Sequence, residues 1–261
     1  MPNITSFRYV LFTPFLAALS FAQPQTVIVP QIADGGGWQT TLVLTNTITG
    51  VGSASMSFYQ ETSGGATQSW NLAFSEQPTQ NVRVNGGATV LLHTLGTGST
   101  TSVGWAQMIV SPGIVAYAIF TQRMAGHTDQ DGTAPGGSVT QRVLVPFDNT
   151  GGSVTSVAMA NPSSAAETVS VNIATEAGAV SQASISLPAQ GHMAFALPDQ
   201  LPATAGHSGL AEFYLGSGRA VLGNISMIAL RFNPTGGFTT APVYEQTGAP
   251  IVGVPPPSGT R

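Results

Sequence analysis

The side chains able to do acid–base, metal or nucleophilic chemistry are few in this chain and stand far apart. Its 261 residues hold 4 histidines, 11 acids and 7 arginines, with no lysine and no cysteine. His93, His127, His192 and His207 form no His-x-x-x-His or His-Glu-x-x-His pair, so no helical face would carry two imidazole ligands. The run His127-Thr128-Asp129-Gln130-Asp131-Gly132 alternates acids before a glycine, as calcium loops do. Its twelfth place falls on Ser138, where such a loop needs a bidentate glutamate, so Asp129 and Asp131 are read as acids of a solvated loop. No Gly-x-Ser-x-Gly elbow presents a serine, and a phosphate loop requires the missing lysine. The acids are spread along the whole chain, without the paired carboxylates that glycoside hydrolysis uses. The expectation is therefore a protein that is not an enzyme, with no catalytic residue, no cofactor and no resident metal. What remains is Trp38, directly after Asp34-Gly35-Gly36-Gly37. An indole beside a glycine loop can stack on a sugar ring or a partner's apolar side chain, which makes Trp38 and Asp34 the candidate ligand-binding residues. The same indole can instead cap the end of a sandwich, sharing a strand face with Thr40, Leu42 and Leu44.

The stretch that carries Trp38, Val27 to Asn46, returns as Val143 to Asn161. In both copies a β-branched run ends in Val-Pro, an acid and glycines follow, and an alternating strand closes on Asn. A shift of 115 carries Gly36 to Gly151, Thr40 to Thr155, Leu44 to Met159, Asn46 to Asn161, Glu61 to Glu176 and Leu72 to Leu187. Beyond that the shift falls to 104, taking Gly87 to Gly191 and Leu91 to Phe195, so the first copy has about eleven extra residues near Ala73 to Arg83. These are read as a loop or an added edge strand. Duplication also sorts the tryptophans. Trp70 matches Ile185 and Trp105 matches Leu210, which predicts two core positions, whereas Trp38 matches the polar Ser153 and is predicted to be exposed. Asp34 and Asp148 both precede glycines and are expected to accept backbone hydrogen bonds in their own turns.

Strand-length alternating runs recur every eight to twelve residues between Gly and Pro turns, among them Thr89 to His93, Gly104 to Val110 and Ile114 to Gln122. A hairpin partner for Ala54 to Tyr59 is expected at Ser69 to Phe74. Ahead of the repeats, residues 1–22 carry Arg8, an apolar run and Ser20-Phe21-Ala22, the pattern of a secretory signal peptide rather than a span, because Pro14 interrupts a run too short for a bilayer. The division read from the sequence is a signal peptide (1–22), a first β-sandwich (23–124), a linker (125–138), a second β-sandwich (139–246) and a Pro/Gly-rich disordered tail (247–261). Charged residues make up only 7% against a usual figure of about 25%, and the scattered arginines could not neutralise a run of phosphates, which excludes nucleic acid as a partner.

On Ala33-Asp34-Gly35-Gly36-Gly37-Trp38 with Leu42 to Asn46, and on Leu187-Pro188-Ala189-Gln190-Gly191-His192 with Leu230 to Gly236, the chain resembles the uncharacterised exported bacterial proteins built of tandem Ig-like β-sandwich repeats. That resemblance covers nearly all of the mature chain and implies an all-β protein of two tandem Ig-like antiparallel β-sandwich domains after a signal peptide. It brings no activity and no site. The functional expectation is an exported, non-catalytic structural or adhesion-type protein, secreted or held at the cell surface, with the periplasm as the other destination. The alternative is a carbohydrate-binding protein that uses Trp38 and its glycine-rich loop. An extracellular glycan or a surface protein is the expected partner. Self-association stays open, since a lysine-free surface lacks one common means of blunting strand edges.

Overall fold

Alternating residues form strand after strand, beginning with β1 (Gln25–Asp34), β2 (Trp38–Asn46), β3 (Gly52–Glu61), β4 (Thr67–Ser69) and β5 (Asn81–Val84). β6 (Thr89–His93), β7 (Ser102–Val110), β8 (Ile114–Gln122) and β9 (Gln130–Pro135) complete the first copy. The second contains β10 (Arg142–Asp148), β11 (Val154–Ala160), β12 (Glu167–Thr175), β13 (Val180–Leu187), β14 (His192–Ala196), β15 (Ser208–Leu215), β16 (Ser226–Phe232), β17 (Phe238–Ala241) and β18 (Tyr244–Glu245). The structure is a computed structural model and describes residues 23–76, 80–126, 128–216 and 224–246. The expected signal peptide, the expected tail and His127 lie outside the described residues. Among the described residues no helix is long and apolar enough to cross a membrane.

Both copies use one strand order. β1-β7-β3-β4, with β5 also on β3, faces β6-β2-β8-β9; β18-β10-β15-β12-β13 faces β14-β11-β16-β17. All the pairings are antiparallel. One core lies between each pair of sheets, around Leu42, Met56, Met108 and Phe120 in the first and Val145, Met159, Ile173 and Phe213 in the second. Strands joined by the tightest turns lie in opposite sheets. Gly35, Gly36 and Gly37 all have positive φ (81°, 59° and 89°), and a Cβ on Gly35 or Gly37 would come within 2.5 Å of a carbonyl oxygen, so only glycine can turn β1 across to β2. In the constant-type immunoglobulin arrangement the first two strands instead lie side by side in one sheet.

The repeated polar residues are framework. Thr40 accepts from Ala33 N–H (3.0 Å) and donates to Ala33 C=O (2.8 Å), and Thr155 makes the same pair of bonds to Asp148 (3.0 and 3.3 Å). Asn46 donates to Gly50 and Val84 carbonyls and Asn161 to those of Ala165 and Pro188, tying each loop to its strand.

Several expectations change. Part of the expected linker is β9, which pairs with β8 from Gln122↔Gln130 to Tyr117↔Pro135 and buries Ala134 completely. Its inward residues, Gly132 and Ala134, are too small to leave a hydrophobic signature. The hairpin partner of β3 stops at Ser69; Phe74 instead bridges to Thr94 in the opposite sheet and is buried with Leu72. The extra residues thus split the edge strand into β4 and β5 and cross to the other layer. The pairings Thr41↔His93 and Ser156↔Ala196 set the β6 to β14 shift at 103, which places Leu92, not Leu91, on Phe195. A slip of one residue reverses every face, and Leu92 is indeed buried while Leu91 is exposed.

Candidate functional site: the contact between the sandwiches

Trp38 opens β2 where the glycine turn has just crossed between the layers. It is half-buried rather than exposed, and its ring packs on Phe238 of the second copy with centroids 5.3 Å apart; Phe232 stands 5.6 Å behind Phe238. Beside this cluster is a cleft of about 260 Å³, lined by Ala33, Trp38, Val103 and Phe120 from one copy and Ala158, Phe195, Ile228 and Leu230 from the other. Among the described residues its polar lining is Gln31, Thr101 and Ser156, with no acid or histidine. The arrangement can hold a small apolar group.

Asp34 does not accept bonds within its own turn. Its Oδ1 accepts from Gly96 N–H at 2.8 Å, pinning the loop after β6. Nor is it the equivalent of Asp148: the shared threonine clamp aligns Asp148 with Ala33, and Asp34 with Asn149. Asp148 accepts from Arg231 Nη2 (2.6 Å) and from Thr150, and Arg231 also donates to Ser153. The Arg231 guanidinium, with help from Thr150, holds the Asp148 carboxyl down at about 2. The two candidate ligand residues therefore serve two separate structural contacts.

The polar group that sequence reasoning missed is His192. It is fully buried, its Nδ1 donating to Glu61 Oε2 (2.7 Å) while Nε2 lies 2.9 Å from Gln31 Oε1. Both partners belong to the other copy, 131 and 161 residues away in sequence. One signal was present: Glu61 and Glu176 are the duplicated acid. Glu176 pairs with His207 inside its own copy at the surface, and that hydrogen bond lowers its carboxyl below the usual range.

Trp105 is buried, though not in the sandwich core expected for it. Ala106, Met108 and Val110 face the core, so Trp105 points out of the sheet. It stacks on Tyr59 (4.3 Å), packs with Ile28 and Ala160, and donates Nε1–H to the Gln190 carbonyl at 3.0 Å. Finally, edge strand β17 lies against edge strand β9. Thr240 accepts from Thr133 N–H (2.9 Å) and donates to Thr133 C=O (2.7 Å), and Phe238 N–H donates to Gln130 Oε1.

The two acids read as part of a solvated loop are engaged: Asp129 pairs with Arg123 at 3.0 Å, and Asp131, on β9, accepts from Thr121 at 2.6 Å. Among the described residues no group of three or more acids and histidines could hold a metal ion. No protein-family model matches the chain, and no curated protein matches it.

Proposed function

We propose that the chain is an exported, non-catalytic structural or adhesion-type protein in which two sandwiches act as one stiff unit at the cell surface or in the surrounding matrix. The observation behind this reading is where the unusual residues go. Trp38, Trp105, Glu61 and His192, the side chains best suited to a ligand site, are engaged in the contact between the copies. A buried aromatic stack, a buried histidine and a threonine-bridged pair of edges favour a spacer that transmits force or fixes the separation of other components. The Ig-like description belongs to this proposal as a two-layer sandwich module, the strand order being its own.

The test takes the mature chain through small-angle scattering and hydrogen exchange. A stiff unit gives one cooperative unfolding transition and an elongation that does not change with ionic strength. Two independent transitions, or turnover of any polysaccharide, ester or peptide, would sink the proposal. A glycan array addresses the carbohydrate alternative: a signal lost in Trp38→Ala would mean that Phe238 leaves the indole when a sugar arrives.

A further inference from the structure

Edges, rather than faces, show where this molecule can take a partner. Among the described residues every long edge of the first copy is blunted. β9 is bridged by Thr240, and β1 exchanges backbone bonds between Ile28 and Gly137. β6 is covered by the inserted segment: Ser75 N–H donates to the His93 carbonyl, and the Glu76 carboxylate accepts from His93 N–H. The same insertion cuts the remaining edge into β4 and β5, of 3 and 4 residues. In the second copy, β17 is held against β9, and β18 pairs with Val143 and Leu144 of β10, whose remaining edge carries Pro146. β14 lies against β3 and β7 of the first copy.

β13 is different. It is the counterpart of the interrupted β4–β5 edge, but it runs unbroken through 8 residues, VSQASISL, paired on one side with β12 in a continuous register. It has no charge, no proline and no bulge, the three devices that ordinarily protect an edge. Thr175 N–H donates to the Ala179 carbonyl, closing the hairpin, and hydrogen-bonding direction alternates along a strand. The N–H and C=O groups of Val180, Gln182, Ser184 and Ser186 therefore point away from β12.

We infer that β13 is a strand-addition edge and that its occupant is β13 of a second copy of this chain, antiparallel about a two-fold axis at Ser184. The parity favours a self-pair. With Ser184 opposite itself, Gln182 meets Ser186 of the other chain. The same residues then expose their backbone groups on both sides, and core face continues core face. On the exposed face the axis brings together Ser184 with itself and Gln182 with Ser186, on the core face Ala183 with Ile185, and none of these is charged, so a two-fold axis sets no like charges against each other. Two five-stranded sheets become one continuous sheet.

The test is the association state of the mature chain by sedimentation, with hydrogen exchange at high and low concentration. The expected result is a dimer in which the Gln182, Ser184 and Ser186 amides become protected as concentration rises. Ser184→Pro removes only an outward N–H and Ser184→Lys adds an edge charge. Each is expected to weaken the dimer about tenfold or more while leaving thermal unfolding of the monomer close to wild type. A wild-type chain that stays monomeric overturns the inference. So does a dimer that survives both substitutions, or one lost instead in Tyr117→Lys, which would place the contact on the exposed Leu91, Val115 and Tyr117 face of the first copy. Protection of the Gln182, Ser184 and Ser186 amides by an added extended peptide, without self-association, would likewise overturn it by replacing the second copy with a foreign strand.

Discussion

The same corner of the sandwich is built twice, from opposite materials. In the first copy Ala33, Trp38 and Phe120 stand where the second has Asp148, Ser153 and Arg231. The apolar set is covered by Phe238, Ile228 and Leu230 of the second copy. The polar set is partly open, with Arg231 and Asp148 side chains 40% and 34% exposed. A fold tolerates either chemistry at this corner, and the neighbour decides which one is stable: an indole gains by leaving water, whereas an exposed ion pair costs little and adds little. Glu61 and Glu176 teach the same lesson, one acid turned toward the other copy's buried histidine and its twin paired at the surface.

That contrast can be broken at several points. The largest effect is expected for Trp105→Ala, which removes a fully buried ring, its stack on Tyr59 and its bond to Gln190, at a cost of about 3–5 kcal/mol in urea unfolding. The equivalent Leu210→Ala, at a half-buried position, should cost about 1 kcal/mol; equal losses would mean that the contact between copies contributes nothing special. His192→Ala comes next, at about 2 kcal/mol, because it leaves Gln31 and Glu61 facing each other without the imidazole. Trp38→Ser writes the second copy's residue into the first and should cost about 1–2 kcal/mol; a neutral result in the same assay would show that Phe238 gains little from the indole.

The smallest effects lie in the exposed pairs. Asp148 titrates at about 2 in the folded chain against an ordinary 3.8, a depressed folded value, so its contribution is complete above about pH 4 and is lost as pH falls toward 2. Acid titration of stability should therefore lose part of its slope in that window in Asp148→Asn. Glu176→Gln should leave stability at neutral pH nearly unchanged, while Glu61→Gln, beside a buried histidine, should move it more. Reversal of that order would undo the comparison.

The missed features have separate causes. β9 could not be read as a strand, since its inward residues are glycine and alanine and its outward ones polar, leaving no period to count. The β6 to β14 register could not be read, since apolar residues at both Leu91 and Leu92 fit either shift. Trp105 was legible as buried through its match to Leu210, but not as buried by the other copy.

By itself the sequence determined the β content, the two copies and the glycine turn, because each follows from period-two alternation, self-similarity or local backbone geometry; it marked the repeated threonine and asparagine without showing what they hold. It also located the insertion that splits one edge. Only the tertiary structure decided what covers each outward face: which acid meets a histidine of the other copy, which tryptophan is lined against a neighbour, and which edge is left unpaired among the described residues. Alternation says to which side a residue points; what lies on that side depends on chain more than a hundred residues away.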